Sequence, residues 1–369
     1  MHSEEIELKF GVVGHIEDLS GMLEDIGEIS ECKSERLSNT YFDTPDTQLF
    51  KMGAGLRLRR SDSYTEQTLK LREENLGGLH RRAEFNLKVD DSLQKPDLTL
   101  FDRDIFAPGL DVTGINGRLE KLCCIDFTRT SLILKAYDCT FEVCLDEGTI
   151  AAGQDEESCR INELEVELKD TKLDTSRQLF AFLTLLEDMR DAHVPLTLEP
   201  FSKMHRATLV LRGQERNLIE LPPVAQSDLH RFILTTVKSF ETLLGIFLVR
   251  KNPALLGYIG YTLKLLRKSL EHLYEVDELD DVINDSGAFK RYQKFVKKTR
   301  RSLKGLSSFF TDFGEDVSLA MMFKDKPDLD KAVEEVRRVL MISEAYLLPL
   351  RIRVLLNLLD EVVRTNMRT

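Results

Sequence analysis

Through the first two hundred residues, apolar and charged side chains alternate in short runs. The clearest are EIELKF (5–10), GLRLRR (55–60), QTLKLRE (67–73), RAEFNLKV (82–89), TSLILKAY (130–137), TFEVCLDEG (140–148) and INELEVELK (161–169). A period of two sends successive side chains to opposite faces of a strand, and turn signals such as Gly77-Gly78 separate the runs. Antiparallel strands are therefore expected. Two stretches depart from this pattern, 15–26 and 174–192. Both read as amphipathic helices, the second with Leu179, Phe182, Leu183, Leu186 and Met189 at helical spacing.

Past RGQERNLIELPPVAQSD (212–228), where Pro222-Pro223 and polar neighbours mark a linker, the periodicity becomes helical. Four long helices are expected, over 228–248, 258–276, 288–310 and 330–363, forming a bundle. No repeat of fixed period is present. The organisation predicted is a strand-rich domain over 1–212, a linker over 213–228 and an all-helical domain over 229–369.

Charge follows the same division. From Glu220 onward there are 24 basic and 21 acidic side chains, against 27 and 42 before it, within an overall charge of −12. A strongly acidic domain is a poor general binder of nucleic acid. No run of about 18 apolar residues predicts a membrane span, and MHSEEIELKF lacks a signal-peptide core. A cytoplasmic protein is expected. The six cysteines contain no CxxC pair, which argues against zinc and for buried reduced thiols.

The polar faces of the strands carry the chemistry. Glu5, Glu7 and Lys9 share one face. Arg57 and Arg59 oppose Leu56 and Leu58, and Lys70 and Arg72 oppose Leu69 and Leu71. Glu163, Glu165 and Glu167 oppose Leu164, Val166 and Leu168. One such strand reads as the wet face of an ordinary sheet with cross-strand ion pairs. Together they read otherwise. Three glutamates on one face repel unless cations neutralise them, and clustered Arg and Lys call for an anion. Carboxylates hold hard divalent cations, and Arg and Lys clamp phosphate oxygens. A sheet closed into a barrel would turn these faces inward and put the apolar faces under covering helices.

Glu5-Ile-Glu7-Leu-Lys9 resembles the ExExK signature of the CYTH superfamily, the triphosphate tunnel metalloenzymes. NTYFDTPD (39–46), GLRLR (55–59), TLKLR (68–72), GGLHRRAEFN (77–86), FEVCLDEG (141–148), INELEVEL (161–168) and FSK (201–203) follow in that family's order. The set is similar to the bacterial inorganic triphosphatase branch, in which a helical CHAD domain follows. The resemblance implies an α+β fold: an eight-stranded antiparallel tunnel β-barrel with covering helices, followed by an all-α helical bundle. It implies hydrolysis of inorganic triphosphate with Mg²⁺ or Mn²⁺. Glu5, Glu7, Glu163 and Glu165 would hold metal, with Asp146 nearby. Lys9, Arg57, Arg59, Lys70, Arg82, Arg129 and Lys203 would hold the triphosphate, with Lys135 and His80 as further members. A class IV adenylyl cyclase, a thiamine triphosphatase and a non-catalytic polyphosphate-binding module are the alternatives. The Glu ladder argues against the last, because binding a polyanion needs the bases far more than the acids.

In the helical part, Lys290, Lys294, Lys297, Arg301 and Lys304 form a basic stripe, with Tyr292, Val296 and Leu303 on the core side; Lys264, Arg267 and Lys268 add to it. This reads either as a solvated bundle face or as the polyphosphate surface that the CHAD resemblance implies. Only His230 and His272 occur there, whereas CHAD domains are histidine-rich.

Overall fold

The computed structural model describes residues 2–71, 75–76, 79–152, 157–211, 229–274, 287–322 and 328–366. Gly77-Gly78, Arg72 and the linker lie outside the described residues, as do the side chains of His80, Lys290, Tyr292 and Lys294. The strands are β1 (His2–Val12), β2 (Glu28–Asp43), β3 (Ala54–Arg60), β4 (Thr65–Leu71), β5 (Asn75–Leu76), β6 (Leu79–Val89), β7 (Glu120–Ala136), β8 (Cys139–Ala152), β9 (Glu157–Thr171) and β10 (Leu196–Leu198). The helices are α1 (Leu19–Leu23), α2 (Gln48–Lys51), α3 (Val112–Gly117), α4 (Thr175–Asp191), α5 (Lys203–Leu211), α6 (Leu229–Arg250), α7 (Ala254–Tyr274), α8 (Gly287–Met322), α9 (Leu329–Ile342) and α10 (Leu348–Asn366).

Eight strands pair antiparallel in the order β1-β9-β8-β7-β2-β3-β4-β6, and β6 pairs back onto β1, so the sheet closes into a ring; β10 and β5 pair alongside β1 and β6. β1 is long enough to serve both neighbours, pairing β6 through residues 2–8 and β9 through residues 7–11. β2 was not legible as a strand in its first half. Residues 28–36 carry polar side chains on both faces, and pairing with β7 holds them extended despite a bulge after Ser30, where Glu31 adopts φ 54°.

Apolar faces point outward. Ile6, Leu8 and Phe10 of β1 join Phe141 and Val143 of β8, Leu164 and Val166 of β9, and Leu179, Phe182 and Leu186 of α4. The same cluster continues through Phe240 and Phe247 of α6, Leu263 of α7 and Phe310 of α8 to Leu355 of α10. A second cluster covers Leu56, Leu58 and Leu69 with Phe101, Phe106 and Ile115. Burying such a side chain stabilises by about 1.5–3 kcal/mol. The outer faces therefore supply the folding energy, and the inner faces are released to carry charge.

Two helical expectations change. Only Leu19–Leu23 of the 15–26 stretch is helical, started by the Asp18 carboxylate, which accepts from the Gly21 N–H. The stretch expected as one helix over 330–363 is two. Glu344 takes φ 55° and starts a single turn at Ala345–Leu347, and Pro349 then falls in the first turn of α10, where its missing N–H costs nothing. Among the described residues, α6 is long and apolar enough to cross a membrane by length and composition, but 67% of its most apolar stretch is buried inside the protein. All six cysteines are free; Cys123, Cys139 and Cys144 are buried, while Cys32 is exposed. On α8 the charges of Lys297, Arg301 and Lys304 are exposed and Val296 and Leu303 are buried. Arg267, Lys268 and Arg300 converge on Glu271.

Candidate active site inside the strand ring

The inward strand faces line a cavity of about 1140 Å³. β1 contributes Glu5, Glu7 and Lys9, β3 Arg57 and Arg59, β4 Lys70, β6 Arg82, Glu84 and Asn86, β7 Arg129, and β9 Glu165 and Glu167. The segment that leads into α5 adds Phe201 and Lys203. Glu5, Glu7, Lys9, Arg57, Glu84 and Lys203 are each less than a tenth exposed. Buried charges persist only when paired and hydrogen-bonded, and these acids and bases fall into two groups.

The first group gathers Asp146, Glu163 and Glu165, which offer three carboxylate oxygens within 4.8 Å of one another. Strand register puts them there. Asp146 lies opposite both Arg129 and Glu163, and Lys9 lies opposite Glu165. Arg129 grips Asp146 with two N–H groups at 2.7 Å each and reaches Glu165 at 2.6 Å. The Lys203 ammonium stands 2.6 Å from Asp146 and 3.0 Å from Glu165, and abuts Glu163. Arg206, one helical turn on from Lys203, donates to Glu163. Lys9 donates to the Phe201 carbonyl and lies 3.9 Å from Glu163. Burial opposes ionisation of Glu165, but Lys203 and Arg129 outweigh it and hold the carboxyl well below the usual range; Arg129 and Lys203 also lower Asp146 against its burial.

The second group holds Glu5, Glu7 and Glu84. Arg82, opposite Glu5 in the register, donates to Glu5 and Glu7 at 2.5 Å each. Lys70 stands 3.0 Å from Glu5 and 2.9 Å from Glu84, and Arg57 is 3.4 Å from Glu84. Burial would raise Glu5, yet Lys70 and Arg82 depress it far below the ordinary value. Glu7 goes the other way. Burial pushes it up to about 8, Arg82 opposes the rise, and the charges of Glu5 and Glu165 add to it. Glu7 is thus the carboxyl that feels both groups.

Arg59 has no carboxylate partner among the described residues. Its Nε donates to the Asn39 side-chain oxygen at 3.0 Å. Burial and the nearby guanidinium groups of Arg57 and Arg129 pull it down to about 10. The buried Arg57 Nε is also unpartnered. This wall of the cavity has positive charge to spare, which an anion would satisfy.

Of the residues singled out from sequence, the ring gathers Glu5, Glu7, Lys9, Arg57, Arg59, Lys70, Arg82, Arg129, Asp146, Glu163, Glu165 and Lys203 around the cavity or its wall. Lys135 is not among them. Its side chain is about half exposed and lies 3.6 Å from Glu28, outside the cavity. The sequence reading passed over Glu84 and Arg206. Alternation from Arg82 reaches Glu84, and a helical step of three from Lys203 reaches Arg206, so both signals were present. Lys238, Glu241 and Thr242 of α6 also line the cavity. Glu241 is buried, and desolvation raises it to about 8 against the pull of Lys238. No local pattern marks these three, because their place depends on how α6 packs.

A model of the CYTH domain matches residues 3–207. The inorganic triphosphatase of Haemophilus influenzae is 32% identical over 191 residues, 52% of this chain and 51% of that protein. The chain thus matches about half the length of that curated relative. Among solved structures, HpAC1 from Hippeastrum, reported to have a dominant triphosphatase activity, is 18% identical over 56% of this chain and 96% of its own, with a TM-score of 0.41. A candidate adenylate cyclase from Bacillus halodurans is 22% identical over 56% of this chain and 97% of its own, with a TM-score of 0.34. With more than half of its length matched by the family model, and with the acid and base ladders turned into one cavity, the chain belongs to the CYTH domain family.

Proposed function

We propose that the chain hydrolyses inorganic triphosphate to phosphate and pyrophosphate within the strand ring, with Mg²⁺ or Mn²⁺. The observation that carries this reading is that a three-carboxylate cluster reaches the cavity through Glu165, and that the same cavity has a cation wall where Arg59 has no carboxylate partner among the described residues and Arg57 Nε is unpartnered. Binding a bare polyanion would need only the second. The domain division proposed is residues 1–212 for the ring, 213–228 for the linker and 229–369 for a CHAD-like helical domain.

Asp146, Glu163 and Glu165 form an all-oxygen donor set, which suits a hard divalent cation. Glu163 Oε1 supports the fit, since it has no hydrogen bond of good geometry although the Lys203 ammonium abuts it. A cation held there supplies charge neutralisation at the phosphate oxygens. Lys203 and Arg129, which bridge these acids, lie within reach of both the cluster and the cavity, and phosphate oxygens give them new partners. Arg57, Arg59, Lys70 and Arg82 hold the rest of the chain in line, so positioning and electrostatic stabilisation provide most of the rate. Glu7, whose value of about 8 lies near neutrality, is suited to take the proton of an attacking water. Glu5, ionised and fixed by Lys70 and Arg82, orients it.

The test is to incubate the purified chain with triphosphate, ATP and thiamine triphosphate, with Mg²⁺, Mn²⁺ or a chelator, and to assay phosphate, pyrophosphate and cyclic AMP. Metal-dependent release with strong preference for triphosphate supports the reading. Cyclic AMP from ATP, or no turnover of any of them, contradicts it.

A further inference from the structure

α9 lies outside the residues that the family model matches, yet its Arg337 reaches toward the acidic cluster. The guanidinium is 2.6 Å from Glu199 Oε2. Glu199 is shared with Arg206 at 3.5 Å, and Arg206 in turn donates to Glu163. All three inner members are almost wholly buried, at 3%, 2% and 0% exposed for Glu199, Arg206 and Glu163. Glu199 Oε1 and Arg206 Nε have no other partner, so the series runs single file. The backbone is arranged for it as well. The Arg337 carbonyl accepts from the Thr197 hydroxyl at 3.1 Å. A Cβ on Gly11 would stand 2.7 Å from Arg337 Nη1, so the glycine opposite Glu163 leaves the space the guanidinium uses.

We propose that Arg337 is a positioning residue for the acidic cluster: acting through Glu199 and Arg206, it fixes the orientation of Glu163 and so sets the affinity of Asp146, Glu163 and Glu165 for a divalent cation. The inference rests on the reading of those three carboxylates as metal ligands. Without Arg337, Glu199 keeps Arg206 as its one cation in this series, and the shared guanidinium is drawn away from Glu163. The Glu163 carboxylate, still held by Lys203 on its other side, then loses its outer tether and turns, and the three oxygens converge less closely. Groups that orient a metal ligand from behind commonly change affinity by about 10–100-fold when removed. The helical region thereby holds part of the ring's chemistry in place.

The experiment is Mn²⁺ binding to the full chain without substrate, followed by the electron paramagnetic resonance signal of free Mn²⁺. Arg337→Gln should weaken binding about 10-fold, and Arg337→Lys should restore most of it. Leu340→Ala, a buried apolar residue of the same helix, should lower the melting temperature without moving the Mn²⁺ affinity. Should Arg337→Gln fail to fold, Gly11→Ala displaces the guanidinium without removing it and should weaken binding in the same direction. Wild-type affinity in a folded Arg337→Gln or Gly11→Ala protein overturns this inference alone. No Mn²⁺ binding by the wild type overturns the ligand reading and this inference with it.

Discussion

The ring and the helical region bury their interiors in opposite ways. In the helical region the centre is largely apolar, with Phe240, Phe247, Leu263 and Phe310 fully buried and Lys297, Arg301 and Lys304 of α8 left in water. In the ring, the centre holds acidic and basic side chains, and the apolar faces are turned out to meet the helices. Burying a charge pair gains little net stability over packed hydrocarbon, whereas breaking one is costly. A chain that lines its strand ring with more than ten acidic and basic side chains gives up apolar packing there that would otherwise add stability. Among the described residues, two charged side chains are buried on the helical side: Arg351, which pairs with Glu187 and Glu344, and Glu241, which faces the ring's cavity.

That contrast predicts different responses to single substitutions. Lys203→Met leaves three carboxylates sharing too few cations, and should destabilise the fold by about 3–5 kcal/mol. Mn²⁺ should return much of the loss, because the ion takes over the missing charge; thermal denaturation with and without Mn²⁺ measures this. Leu244→Ala in α6, a fully buried position, should cost about 2–5 kcal/mol by leaving a cavity, and Mn²⁺ should return none of it. Equal metal responses in the two variants would erase the distinction between the regions.

Glu241 gives a smaller, pH-dependent effect. Its folded value of about 8 lies above the ordinary 4.5, so the folded state binds more protons between those limits. Its stabilising contribution is complete below about pH 4.5 and is lost as pH climbs to 8 and beyond. Glu241→Gln should therefore flatten the fall of stability across that window, with a gain at pH 9 on the order of a few kcal/mol and little change at pH 4.5. Melting temperatures across the range check it. The smallest effect belongs to the surface. Arg338 pairs with Glu335 at 2.6 Å on the surface, and Arg338→Ala should leave the melting temperature essentially unchanged.

Much of this arrangement was legible in the chain. Alternation placed Glu5, Glu7 and Lys9 on one face and Ile6, Leu8 and Phe10 on the other, and the structure keeps that division. A period of two also named Arg57, Arg59 and Lys70, because on a strand a residue's face is a local property. What escaped depends on distant pairing. β2 is extended because β7 holds it, not because its first half alternates. Lys135, which the resemblance implied as a further member, is in step with the inward residues of β7, but its side chain lies outside the cavity beside Glu28. Arg206 is one helical step of three from Lys203, but Arg337 meets Glu199 from α9, and nothing in its neighbourhood announces a partner more than a hundred residues away. The sorting of the acids into two groups, with Glu7 felt by both, arises from register around the closed ring.

The most direct test of the central claim, that the ring's charged interior carries out metal-assisted triphosphate hydrolysis, is the Mn²⁺-dependent release of phosphate from triphosphate by Glu165→Gln. This side chain reaches the cavity and belongs to the carboxylate cluster, yet keeps its shape in the variant. The account predicts a fall in turnover of at least about 100-fold in a protein whose circular dichroism and cooperative unfolding match the wild type. Phosphate release close to the wild-type rate would contradict it.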